Sequence, residues 1–349
     1  MVNNIVLNEV IPSILYDMGI SSPVDRIEID GLIDMPGHHW SNPGVKQISA
    51  YAGGDEYRFV LKTLAEHSKR EIDVYKFLNA IENFPIPRLY HSVYDEENGE
   101  YLMIIERCLE RDFPAPEEFW EECGKLLARI HSVFWNKSDS LPSLFHLEQK
   151  TDRMTIAVER LKEFFDSLNN GNVNLLESEL NVSLTDLRSC LEEIDITCLP
   201  AVSTPALCLL HGSFRSPEIM WRETHDGYTS LGVDWEACRI GHPAVDLAFG
   251  VQNLLPKGES GLFDTFLDSY IRELEPDELI TDRDSLITIA RQESLIKVMD
   301  GVIPFLLQTY MKVRNDESYR KWCEWLKSSL SDTIRYVIDT ITSGDIYTE

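Results

Sequence analysis

Strand-like and helix-like spacings of apolar residues are segregated along this chain, and that segregation limits its fold more than any other feature. Residues 5–18 open with apolar side chains at helical spacing, among them Val10, Ile11, Ile14 and Leu15. Three β-type runs follow, at 24–33, 45–52 and 57–64, the last led in by the turn Gly53-Gly54-Asp55. Residues 35–44 between the first two are rich in Gly, Pro, Ser and Asn and read as a loop. A helical stripe of Ile72, Tyr75, Leu78 and Ile81 occupies 65–82. Two more β-type runs, 88–94 and 101–106, flank Glu96-Glu97-Asn98-Gly99.

Beyond Leu109 the pattern turns helical, at about 116–135, 149–169, 175–194, 259–274, 282–311 and 317–341. Pro304 is expected to bend the fifth of these. Strand-like runs return only near 207–210, 219–222 and 228–234. Five strands with one main helix, then a mostly helical remainder, predict a bilobal α+β protein with a first lobe at 1–108 and a larger one at 109–349.

Charge narrows the partners. A net charge of −27 over 349 residues argues against a nucleic-acid binder, because phosphates need Lys and Arg. It is compatible with a cationic substrate, but excess charge mainly informs solubility and steering, so a solvated acidic surface is the reading preferred. Seven cysteines contain no C-x-x-C pair, so neither a zinc ribbon nor a thioredoxin-like motif is expected, and single buried thiols fit a reducing compartment. The start carries no signal-peptide pattern and no run reaches 18 apolar residues, so a cytoplasmic protein with no membrane partner is expected. Oligomeric state is not legible.

The chemistry-bearing residues concentrate in two places. Arg58-Phe59-Val60-Leu61-Lys62 ends a strand on a lysine, and Glu71 follows on the next helix, with Glu66 as a second candidate partner one turn away. Much later, Leu209-Leu210-His211-Gly212-Ser213-Phe214-Arg215 precedes Glu218, a strand, and Asp234-Trp235-Glu236. Ser213 beside His211 is no hydrolase signal, because the G-x-S-x-G elbow is absent. His38-His39 are adjacent loop residues without companion ligands, a poor metal site.

Taken in order, these segments resemble the aminoglycoside phosphotransferase and choline kinase superfamily, from the strand lysine to the helix after Asp246. The resemblance implies a protein-kinase-like fold with a small antiparallel five-stranded lobe. It implies a nucleotide site of Lys62, Glu71, Ser41 and Asn42 in the first loop, and Glu106, Arg107 and Cys108 at the adenine hinge. Leu127-Ala128-Arg129-Ile130-His131 resembles a helix marking the fold, with His131 structural. The catalytic loop would comprise His211, Ser213 and Arg215, and the metal ligands Asp234 and Glu218, holding Mg²⁺. Asp246 would support the loop by hydrogen bonding.

Two positions depart from the family pattern His-Gly-Asp, four residues, then Asn: Ser213 stands for the Asp and Glu218 for the Asn. Serine is a poor base at neutral pH, and general-base help is worth roughly 10²–10⁴-fold. A carboxylate remains a good hard ligand for Mg²⁺. The expected function is an ATP- or GTP-dependent phosphotransferase acting on a hydroxyl of a small molecule, a cationic one being compatible with the charge. The alternative is a pseudokinase, a nucleotide-binding or scaffolding module without transfer. A third reading has the nucleotide scaffold supporting another transfer.

Overall fold

The computed structural model describes residues 4–32, 45–96, 98–146, 153–168, 170–194, 206–215, 218–225, 227–275 and 282–344. The chain is an α+β protein whose contacts divide it into two compact units. Unit 1 comprises Met1–Asp112 and Arg215–Cys238, and unit 2 comprises Phe113–Phe214 and Arg239–Glu349.

Unit 1 is built on a five-stranded antiparallel sheet in the order β1-β2-β3-β5-β4. Its strands are β1 (Val24–Leu32), β2 (Val45–Ala52), β3 (Asp55–Ala65), β4 (Leu89–Asp95) and β5 (Glu100–Glu106). Gly53 and Gly54 join β2 to β3 at φ +62° and +92°, the positive values that a type I′ hairpin turn requires at both positions. Helix α1 (Asn4–Asp17) lays Leu7, Ile11, Ile14 and Leu15 against Ile48, Ala50, Phe59, Leu61, Leu102 and Ile104 of the sheet, a shared apolar core. Strands need alternation and helices need 3.6-residue spacing, and both patterns converge here on one buried layer. Helix α2 (Lys69–Asn79) buries Glu71, Ile72, Val74, Tyr75 and Leu78. Lys62, in the second half of β3, pairs in register with Val45 of β2 and Met103 of β5.

Unit 2 is helical: α3 (Pro116–Ser132), α4 (Arg153–Ser167), α5 (Asn170–Leu180) and α6 (Leu184–Glu193), then α7 (Ala244–Leu254), α8 (Ser260–Leu274), α9 (Arg283–Lys297), α10 (Ile303–Val313) and α11 (Arg320–Ser343). α3 starts with Pro116 in its first turn, followed by Glu117 and Glu118, which suit the positive end of the helix dipole. Gly124 lets α3 approach α8 closely, since a Cβ there would collide with the Phe266 carbonyl. Two short strands, β6 (Cys208–Leu210) and β9 (Arg239–Gly241), pair antiparallel. In unit 1, β7 (Ile219–Thr224) and β8 (Gly227–Gly232) form a second antiparallel pair.

Two expectations are refined. The single helix read at 175–194 is two, because Asn181 adopts φ 53° and the Ser183 hydroxyl accepts the Asp186 N–H, capping α6. The run 282–311 stays helical through a π segment at Val298–Val302, and Pro304 is the second residue of the α-helix that follows. A wider turn there accommodates the missing proline N–H without ending the helix.

Candidate active site

In unit 1 the site is built around one buried cation. Lys62 Nζ donates to Glu71 Oε1 at 2.7 Å and to Asp234 Oδ1 at 2.7 Å. The Lys62 and Glu71 side chains are 12% and 1% exposed, whereas that of Asp234 is 35% exposed. Burial alone would lower the Lys62 pKa, but Glu71 and Asp234 outweigh it and raise it, so the ammonium stays charged. Burial pushes the Glu71 carboxyl upward against the pull of Lys62. Glu66, the alternative partner, lies in the turn before α2 and is exposed.

Asp234 is held by several neighbours. Its own backbone adopts φ 65°, ψ 61°, uncommon for a residue other than glycine and a conformation that its surroundings must enforce. Trp235 is fully buried, donates from Nε1 to the Gly232 carbonyl at 2.7 Å, and packs on Phe84. Arg70 of α2 donates to the carbonyls of Glu236 and Cys238. The Tyr75 hydroxyl meets the Asp234 backbone, and burial raises its pKa. Sequence reasoning missed Arg70 and Tyr75; Tyr75 carried a signal, its i+4 spacing from Glu71 on α2, whereas Arg70, adjacent to Glu71, carried none.

Glu218 leads into β7, and its carbonyl accepts the Val233 N–H at 2.9 Å, so its backbone lies beside Asp234. Its side chain is only 4% exposed and is gripped by Arg215, which donates from Nε at 2.7 Å and from Nη2 to the same oxygen. The residue standing at the family's Asn position therefore carries its own counter-ion. A buried carboxylate needs such a partner, because desolvation of a lone charge costs more than a surface ion pair returns.

The hinge segment also lies in unit 1. Glu106 is engaged by Arg222, Nε to Oε1 at 2.6 Å and Nη2 to Oε2 at 2.5 Å. Leu109 and Trp221 exchange backbone hydrogen bonds at 2.8 and 2.9 Å, tying the segment after β5 to β7. Cys108 is buried, and burial with Glu106 nearby pushes its thiol up to about 12. With the Glu106 carboxylate committed to Arg222, backbone groups are the natural recognition elements of this stretch. Ser41 and Asn42 lie outside the described residues.

In unit 2 the loop after β6 is suspended from α7. The backbone N–H groups of His211 and Gly212 donate to the Asp246 carboxylate at 2.7 and 2.9 Å. Gly212 turns with φ 85°, which glycine adopts without steric cost. His131 Nε2 lies 3.2 Å from Asp246, and its Nδ1 lies 3.0 Å from the Tyr270 hydroxyl. Asp246 is fully buried; burial opposes its ionisation, yet His131, Lys297 and His211 overcome this and hold its pKa down to about 2. His211 is itself fully buried, edge-on to Phe214 with centroids 5.7 Å apart, which leaves its ring no solvent-facing surface. Ser213 is half-buried.

The carboxylates Glu293 and Asp300 meet Arg153 and Arg160 of α4 at 2.7 and 2.6 Å. Both pairs repeat after seven residues on each helix, an arrangement that aligns α4 with α9 and its π extension. Among the described residues no group of three or more His, Cys, Asp or Glu side chains is gathered as a metal site. Asp234 still suits a hard cation, since its oxygens are partly exposed and Mg²⁺ commonly takes only one or two protein carboxylates beside phosphate oxygens. No helix among the described residues is long and apolar enough to cross a membrane.

Residues 39–282 match the family model described as "Phosphotransferase enzyme family". No curated protein sequence matches the chain. Among solved structures, spectinomycin phosphotransferase in complex with ADP and spectinomycin aligns with a TM-score of 0.52 at 14% identity, covering 92% of this chain and 94% of that one. The microcompartment-associated aminopropanol kinase aligns at 0.52 and 13%, covering 97% and 99%. Plasmodium vivax ethanolamine kinase aligns at 0.51 and 14%, covering 90% and 84%. At such identities these likenesses establish the shared kinase-like fold.

Proposed function

The chain belongs to the phosphotransferase enzyme family, and from that premise we propose that it binds ATP or GTP and transfers the terminal phosphoryl group to a hydroxyl of a small, cationic molecule. The observation that carries this reading is the Lys62 ammonium shared between Glu71 and Asp234 at 2.7 Å each. A strand lysine fixed by a helix glutamate is the arrangement that presents a cation to nucleotide phosphates. Asp234, with its partly exposed carboxylate, would hold Mg²⁺, which supplies charge neutralisation for the phosphates when bound. Backbone groups of Glu106, Arg107 and Cys108 would meet the base. The aligned structures include enzymes named for amine-bearing acceptors, aminopropanol and ethanolamine, which supports a cationic acceptor here.

Ser213 takes the acceptor side. Its hydroxyl can orient an incoming alcohol by hydrogen bonding, but as a base it is weak, so the transfer relies on positioning and on charge stabilisation. His211 acts through the backbone: its buried ring and its N–H bond to Asp246 fix the loop that presents Ser213. Arg215 neutralises Glu218.

That last pair favours a second reading, a nucleotide-binding module without transfer, because both family departures weaken the reacting centre while the Lys62 cluster is intact. Thermal shift with Mg-ATP and Mg-GTP, combined with phosphate release by wild type and Ser213→Asp, separates the two. Turnover by the wild type supports the transferase. A nucleotide-dependent shift with turnover only in Ser213→Asp, a gain of about 10²–10⁴-fold over the wild-type background, supports the module. Absence of any shift with either nucleotide refutes both.

A further inference from the structure

One cavity in unit 2 shares no residue with the loop or the clusters described above. Its volume is about 440 Å³, within the range of small-molecule sites. α11 contributes Asp332, Arg335, Tyr336 and Asp339 to its wall, and Arg291 of α9 and Pro256 are among the residues that line the rest. The four α11 residues fall at i, i+3, i+4 and i+7, a single stripe of the helix.

The charges on that stripe are unusual in how they are used. Arg335 lies three residues from Asp332 and four from Asp339, spacings at which opposite charges ordinarily pair. Among the described residues it pairs with neither: one of its Nη atoms donates to the Asn181 carbonyl at 3.1 Å, while Asp332 accepts only a long contact from the Ser328 hydroxyl at 3.4 Å. Asp339 likewise has no cation within ion-pair distance among the described residues. Two guanidiniums and two carboxylates thus border one cavity, Arg335 pairs with neither Asp332 nor Asp339, and an aromatic ring, Tyr336, lies between Asp332 and Asp339 in sequence.

We propose that this cavity is a second small-molecule site, taking a short compound that bears both an ammonium and an anionic group. The anionic end matches the Arg335 and Arg291 guanidiniums, and the ammonium matches Asp339 and Asp332 with the face of Tyr336. A carboxylate or a phosphate satisfies the anionic end, so the class spans amino acids and aminoalkyl phosphates. Pro256 belongs to the turn that closes α7, whose 11 residues run about 16 Å to the end carrying Asp246. An occupant therefore braces the helix from which the His211–Gly212 loop hangs. The site stands whether or not the nucleotide reading holds.

The test uses the full chain without nucleotide. γ-Aminobutyrate and phosphoethanolamine are titrated by calorimetry and thermal shift up to about 10 mM, beside singly charged butyrate and butylamine. Arg335→Gln and Asp339→Asn change exposed positions, and an unchanged Tm without ligand shows that each is folded. Binding of either zwitterion, weakened about tenfold or more by each substitution and by loss of either charge on the probe, supports the site. The tighter zwitterion names the anionic group. Failure of both zwitterions to bind, binding that survives both substitutions, or butyrate binding as tightly as γ-aminobutyrate overturns it.

Discussion

Replacing Asp246 with asparagine removes a charge and little volume, and its cost can be worked from the structure. The carboxylate is fully buried and accepts the His211 and Gly212 N–H groups at 2.7 and 2.9 Å beside His131. Its pKa falls from 3.8 to about 2 in the folded protein. At about 1.4 kcal/mol per pKa unit, ionised Asp246 contributes about 2 kcal/mol at neutral pH. A depressed pKa gives stability that is fully present above the unfolded value of 3.8 and is lost as pH falls through about 2. Asparagine offers one acceptor oxygen where the loop supplies two donors, so part of the hydrogen bonding is lost as well. Asp246→Asn should therefore lower the Tm of unit 2 by about 4–8 °C at pH 7. Calorimetric scans of both proteins from pH 7 down to pH 3 make the check. The gap should be constant above about pH 5 and narrow steadily below pH 4. A gap under about 1 °C at pH 7, or one that does not narrow in acid, would show that the carboxylate does not hold the loop as described.

Three further outcomes are expected. Lys62→Met should abolish the Tm increase produced by Mg-ATP or Mg-GTP, and an undiminished increase would remove Lys62 from the nucleotide site. Arg215→Ala should destabilise by about 1–3 kcal/mol, less than the full cost of breaking a buried pair because the arginine side chain is 56% exposed. A double-mutant cycle with Glu218→Gln isolates the coupling, and a value under about 0.3 kcal/mol would deny the pair any role. Cys108, with its thiol pushed up to about 12, has a thiolate fraction on the order of 10⁻⁴ at pH 8 and should escape maleimide labelling of the native protein, as peptide mapping would reveal.

Much of the architecture was legible because local chemistry bounds it. β2 runs Val45–Ala52 as read, since a two-glycine turn that only glycine readily adopts closes it. The Lys62–Glu71 contact was legible because the β3 lysine and the face of the next helix lie nine residues apart. Other features depend on partners remote in sequence. Asp234 meets Lys62 across a separation of 172 residues, so the order of motifs suggested the site while distance along the chain concealed the contact. β9, three residues long, exists because β6 pairs with it, and nothing in Arg239-Ile240-Gly241 alone marks a strand. The break at Asn181 was signalled by Ser183 with Asp186 three residues on, a helix-start pattern hidden inside an apolar stripe. The Arg215–Glu218 pair shows the limit from the other side. From the sequence Glu218 is a candidate metal ligand, and only the folded chain shows that Arg215, three residues before it, grips one of its oxygens.

The contact division has a consequence for how the protein is made. Residues Arg215–Cys238 belong to the unit that Met1–Asp112 begins. A nascent chain that has just emitted its five strands and α2 has Lys62 and Glu71, but lacks Asp234, Trp235 and the β7–β8 pair. At about 5–20 residues per second, roughly 6–25 s pass on the ribosome before those pieces arrive. During that interval the first unit must wait half-assembled, and Lys62 has one of its two carboxylates. A slowed codon or a chaperone acting within residues 113–214 would thus govern the assembly of a structure encoded mostly upstream of it.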